Sequence, residues 1–153
     1  MNPTPNRREL LRSAMASNDA SVRLNAALAA GTHPESAFAD LLVARFADEP
    51  DFYVRDMLTW ALVQHDTADT LPLLRLALDS AVPQSRSQAL HTLSKLGEPS
   101  TWPWVTDAML TDADDEVARA AWRTAAGLAP DDQRDALAAT LGELMRRLGP
   151  PRH

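Results

Sequence analysis

Cysteine is absent from the chain, which excludes disulfides, thiolate zinc sites and a catalytic thiol and fits a reducing compartment. Glycine is scarce, five in 153 residues, and no run of alternating β-branched residues occurs, so strands have little support. Lysine is nearly missing as well: Lys95 is the one lysine among fifteen basic residues, and the net charge is -6. An acidic chain without a basic block is a poor candidate for nonspecific nucleic-acid binding, although a local basic stripe is compatible with that total. No apolar run approaches membrane-spanning length. The opening Met1-Asn2-Pro3-Thr4-Pro5-Asn6-Arg7-Arg8 has no apolar core behind its charges, so no secretion signal is expected and the expected location is cytoplasmic. What remains is 45% hydrophobic and 24% charged, the profile of one ordinary globular domain with a substantial core.

The stretch that organises the chain is Asp51-Phe52-Tyr53-Val54-Arg55, followed by Asp56-Met57-Leu58-Thr59-Trp60-Ala61-Leu62. It reads as an acidic cap, a first turn and an amphipathic helix. Its Val-Arg pair recurs at Val22-Arg23 and, degraded, at Ser85-Arg86 and Val117-Ala118, giving intervals of 32, 31 and 32 residues. An acid precedes the Val slot by three positions at Asp19, Asp51 and Asp114, while Val82 stands there in the third copy. An apolar residue follows the Arg slot by three positions in all four copies, as Ala26, Leu58, Ala89 and Ala121. A period of this length marks a repeat architecture.

The pattern Asp-x-x-Val-Arg-x-x-Ala resembles the second-helix signature of HEAT repeats, particularly the short bacterial kind, and with the intervening helices the resemblance covers nearly the whole chain. It implies an all-α, right-handed α-solenoid (α-α superhelix) of about four helix pairs, with repeats near 6–31, 32–65, 66–97 and 98–128 and a capping helix at 130–148. It also implies that the repeat arginine pairs with the Asp of a neighbouring repeat. A ladder is therefore expected through Arg23, Arg55 and Arg86, failing at the fourth copy, where Ala118 holds the slot and Arg119 comes one residue late.

Local signals place the remaining boundaries. Residues 1–5 read as a flexible lead and 149–153 as a tail. A first helix is expected from about Asn6 to Ala16, then a helix capped by Asn18 or Asp19 and stopped by Gly31. Thr32-His33-Pro34-Glu35 has the form of a capping box opening a helix that carries Phe38, Leu41, Leu42 and Phe46. Pro72 is expected in the opening turn of a helix over Asp66 to Asp79, and Pro83 and Gly97 bound the next. Ser100 or Thr101 is expected to cap a helix containing Trp102-Pro103-Trp104, and Asp114 the last second-helix.

Candidate function follows from the helical wheel. With the Val slot at zero, that slot and the positions four and seven later face the core, while those two and six later face the groove. The position six later reads Leu28, Trp60, His91, Arg123, and the position two later Leu24, Asp56, Ser87, Arg119, so one end of the groove is apolar and the other basic. Trp60 is either a groove-facing hot spot or folded over Met57 and Val63 onto a neighbouring helix. Trp102, Trp104 and Trp122 read as packing residues.

No cofactor or metal is expected. Asp112-Ala113-Asp114-Asp115-Glu116 lacks the Gly and closing Glu of a calcium loop, and His91 has no second ligand placed beside it by motif. No phosphate-cradling Gly loop, zinc-helix motif or serine nucleophile elbow occurs. The reading is a noncatalytic protein-interaction or scaffold module that binds a peptide or protein through Leu24, Leu28, Asp56, Trp60, His91, Arg119 and Arg123. The alternative rests on side-chain composition: an aromatic, an acid and arginines in a helical-repeat groove resemble the lesion-binding cleft of HEAT-like alkylpurine DNA glycosylases. A third reading is self-association through the Leu24/Leu28 end.

Overall fold

Three of the four second helices open on the same closure. The carboxylates of Asp19, Asp51 and Asp114 accept first-turn amides: Ser21 N at 2.8 Å, Tyr53 N at 2.8 Å and Glu116 N at 3.0 Å. Each thereby satisfies donors that no helical carbonyl can reach. The third copy, which lacks the acid, starts on Pro83 at the first turn, where a missing N–H leaves nothing unsatisfied. The structure, a computed structural model, describes residues 6–148; the expected lead and tail lie outside the described residues.

The elements are α1 (Arg7–Met15), α2 (Ala20–Thr32), α3 (Ala39–Arg45), α4 (Phe52–Val63), α5 (Thr67–Ala77), α6 (Pro83–Leu96), α7 (Asp107–Leu110), α8 (Asp115–Leu128) and α9 (Asp131–Leu148), with 3-10 turns at Ser36–Phe38 and Pro99–Trp104. No strand occurs among the described residues. The even-numbered helices α2, α4, α6 and α8 pack in succession as one layer, and α1, α3 and α5 form the other. This is the all-helical solenoid expected from the repeat. Between the layers runs one continuous core, in which Leu42, Phe46, Leu58, Leu62, Leu74, Leu90 and Leu93 are fully buried.

The first-helix layer departs from the sequence expectation in several places. Gly31 does not stop α2, which continues through it to Thr32. The capping box does not form either. The Thr32 hydroxyl donates back to the Leu28 carbonyl at 2.7 Å, and α3 starts only after a 3-10 turn that has no side-chain cap. Pro72 lies in the second turn of α5, beyond the stretch where its missing donor costs least. The Trp102-Pro103-Trp104 segment is a 3-10 turn followed by the single-turn α7, so neither Ser100 nor Thr101 caps an α-helix. Thr101 is buried instead, its hydroxyl bonded to the Glu98 carbonyl at 2.7 Å.

The arginine ladder is present with a gap. Arg23 donates through Nε and Nη2 to Glu49 at 2.8 and 3.0 Å, and Arg86 reaches Asp112 at 3.2 Å. Arg55, expected to be a rung, has no carboxylate partner among the described residues, because Ser80 stands where Glu49 and Asp112 stand in the adjoining repeats. All three arginines make one shared bond. Each donates Nη1 to the carbonyl six residues before it, at Ser17, Glu49 and Ser80, over 2.8 to 3.0 Å.

Candidate functional site

Asp56, His91 and Arg123 come from three successive second helices, and the packing between those helices sets where each side chain emerges. Between α4 and α6, Thr59 and Thr92 share a buried hydrogen bond at 2.8 Å, and Gln88 Nε2 donates to the Thr59 hydroxyl at 2.7 Å. Gln84 Nε2 bonds the carbonyls of Phe46 and Glu49, both at 2.7 Å. Between α6 and α8 the Thr124 hydroxyl donates to the Leu90 carbonyl at 2.8 Å. These buried polar contacts lock the register of neighbouring repeats, since any slip would strand a desolvated donor.

Above that floor lies a cleft of about 460 Å³ lined by residues of α4, α6 and α8, with Asp56, His91 and Arg123 all in its wall. His91 Nε2 stands 3.8 Å from Asp56 Oδ1. A smaller recess of about 160 Å³ adjoins it, where His91 and Arg123 are joined by Ser94, Lys95 and Thr124. Half-burial holds the His91 imidazole below its ordinary pKa; the nearby charge of Lys95 adds to this, as does Arg123, while Asp56 opposes it. Neither Lys95 nor Arg123 has an ion-pair partner among the described residues. The cleft therefore presents an imidazole held toward its neutral form among the carboxylates of Asp56, Asp114 and Glu116 and the guanidinium groups of Arg55 and Arg123, with Lys95 in the adjoining recess.

The other four candidate residues lie outside that lining. Trp60, on the same helical angle as His91 and Arg123, leans instead toward α2, where its ring seats over Gly31 and remains 39% exposed. Arg119 pairs with Glu116 at 2.9 Å on the surface of α8. Leu24 is partly buried against the core and Leu28 is exposed. The structure thus gathers Asp56, His91 and Arg123 and leaves the apolar end separate from them. The other tryptophans pack: Trp122 Nε1 donates to the Leu110 carbonyl at 3.1 Å, and Arg75 lies over the Trp104 ring at 5.0 Å.

A repeated closure preceding each second helix was missed by the wheel. Ser17, Glu49, Ser80 and Asp112, each five residues before the Val slot, accept the backbone N–H of the residue two further on, at 3.1, 3.0, 3.1 and 2.9 Å. The signal was available, since an oxygen-bearing side chain occupies that slot in every copy. A family model for HEAT repeats matches residues 49–127, which spans three of these closures. The chain belongs to the HEAT repeat family. No curated protein matches this HEAT chain. Among its described residues there is no group of three or more potential metal ligands and no helix long and apolar enough to cross a membrane.

Proposed function

We propose that this HEAT module is a noncatalytic interaction protein whose concave, second-helix face grips a peptide or protein segment. The observation that carries the reading is the cleft itself: Asp56, His91 and Arg123 face one opening from three different repeats. Repeat proteins present such surfaces because each unit contributes one row of side chains to a shared face. Charges of both signs held side by side suit an extended peptide bearing both, and set which partner is accepted more than how tightly it is held. Trp60, Arg119, Leu24 and Leu28 would flank the bound segment, Trp60 being the residue type most often dominant at such contacts. The module works in the cytoplasm in this reading and needs no cofactor. The glycosylase alternative takes Trp60 as its aromatic, and Trp60 does not line this cleft, whose one aromatic ring besides His91 is Phe52.

The test is capture from native lysate with the wild-type protein, an Asp56→Arg/Arg123→Glu charge exchange, and Arg12→Glu on the outer layer as a matched control. The exchange is expected to lose a partner that wild type and control both retain, with all three melting at the same temperature. Equal recovery by all three would refute the cleft as the contact surface. Release of base from alkylated duplex DNA by the purified protein would instead favour the enzyme.

A further inference from the structure

Repeats two to four show what covers the leading face of a second helix. Val54, Leu58 and Ala61 on α4, Ser85, Ala89 and Thr92 on α6, and Val117, Ala121 and Thr124 on α8 are all buried. Each of these helices packs on the second helix before it. The same slots on α2 hold Val22, Ala26 and Ala29, and none of the three is buried. Val22 is 40% exposed where Val54 is 1% exposed. Ala26 and Ala29 line a largely apolar groove of about 440 Å³ with Leu10, Leu11 and Ala14 of α1.

The opposite end carries a helix that touches α8 but is little covered by the other described residues. No residue of α9 from 131 to 146 is buried. Leu137 leans on the core, but the stripe it begins continues through Leu141, Leu144 and Met145, spaced to share one face. Leu141 and Met145 are left 38% and 55% exposed.

We infer that the α1–α2 groove receives α9 of a second copy, so that chains stack head to tail. The protein's own joints supply the template, since the open face of α2 is the one that elsewhere seats on a helix of small and aliphatic side chains. On α1, Arg7 and Arg8 are paired with Glu35 and Asp40, which leaves Arg12 as the cation without an ion-pair partner among the described residues, while the first half of α9 carries Asp131, Asp132 and Asp135 against Arg134. Because the two surfaces are different and belong to the first and last helices, the contact is heterologous and leaves each copy free to bind another. It uses none of Asp56, His91 or Arg123, so it stands or falls apart from the cleft.

Sedimentation equilibrium of the full chain up to about 1 mM, where even weak contacts register, tests this. The weight-average mass is expected to climb with concentration past that of a dimer. Leu10→Glu and Met145→Glu alter exposed positions, and each alone is expected to remain folded by circular dichroism and monomeric. Mixed in equal amounts they are expected to form a heterodimer that grows no further, because one brings an intact α9 and the other an intact groove. Should Leu10→Glu fail to fold, Ala29→Glu blocks the same groove. A wild type that stays monomeric, one that stops at a dimer, association that survives either substitution, or a mixture that fails to pair would each overturn the inference.

Discussion

Two residues set how closely the first repeats approach. A Cβ on Gly31 would lie 2.8 Å from the Ala61 Cα and as close or closer to the Cε3 and Cζ3 atoms of the Trp60 ring. The backbone of α4 cannot yield as a flexible side chain would. A glycine-to-alanine change inside a helix ordinarily stabilises by about 0.5–1 kcal/mol; Gly31→Ala is expected to destabilise by about 1–3 kcal/mol through overpacking, read from the urea midpoint. The second residue is Arg23, which is 5% exposed and faces a fully buried Glu49. Burial alone would raise the Glu49 pKa, but hydrogen bonds from Arg23, the Asp51 amide and Arg45 outweigh it and hold the carboxyl below its ordinary value. The folded state therefore binds fewer protons than the unfolded one. This contribution is present above the ordinary carboxylate range and is lost as pH falls through the depressed value. Asp112, held down by the Asp114 amide and by Arg86, adds to the same slope. Arg23→Ala is expected to cost about 3 kcal/mol at neutral pH and to flatten the loss of stability between about pH 6 and pH 3, measured by urea titration at each pH.

At the scale of the element, what could be read from the sequence was what is local. Caps at Asp19, Asp51 and Asp114, the Pro83 start and the left-handed Gly97 end at φ 65° depend on a few neighbouring residues, and their signals were sufficient. The helical wheel also put Asp56, His91 and Arg123 on one face, and they do line one opening, because a regular helix fixes direction from position alone. It could not show that Trp60 leans away, since that depends on Gly31 in another repeat. The first helices were less legible because proline and competing hydroxyl bonds, as at Thr32 and Thr101, favour 3-10 turns over α-helix starts. The gap in the ladder leads to a substitution of its own. Ser80→Asp restores the acid found at Asp112, whose side chain makes the same turn bond, and places a carboxylate where Arg55 lacks one. It is expected to raise stability by about 0.5–1 kcal/mol, with Ser80→Asn as the uncharged comparison and thermal melting as the measurement.

Across the whole molecule, a stack in which each unit touches mainly its neighbours does not hold all its parts equally tightly. Amide exchange is expected to be slowest in α4 and α6, which are packed on both sides, and fastest in α9, whose residues 131–146 include no buried side chain. Hydrogen exchange with mass spectrometry resolves this helix by helix. A rise in α9 protection with protein concentration would accompany head-to-tail association, and none is expected in the Leu10→Glu variant.

The seat of Trp60 on Gly31 bears on shape as well as stability. The pitch between the first and second units depends on the lack of a single methyl, so a substitution there would change the curvature of the superhelix, and with it the breadth of surface offered on the inner side, and would shift Trp60 at the same time.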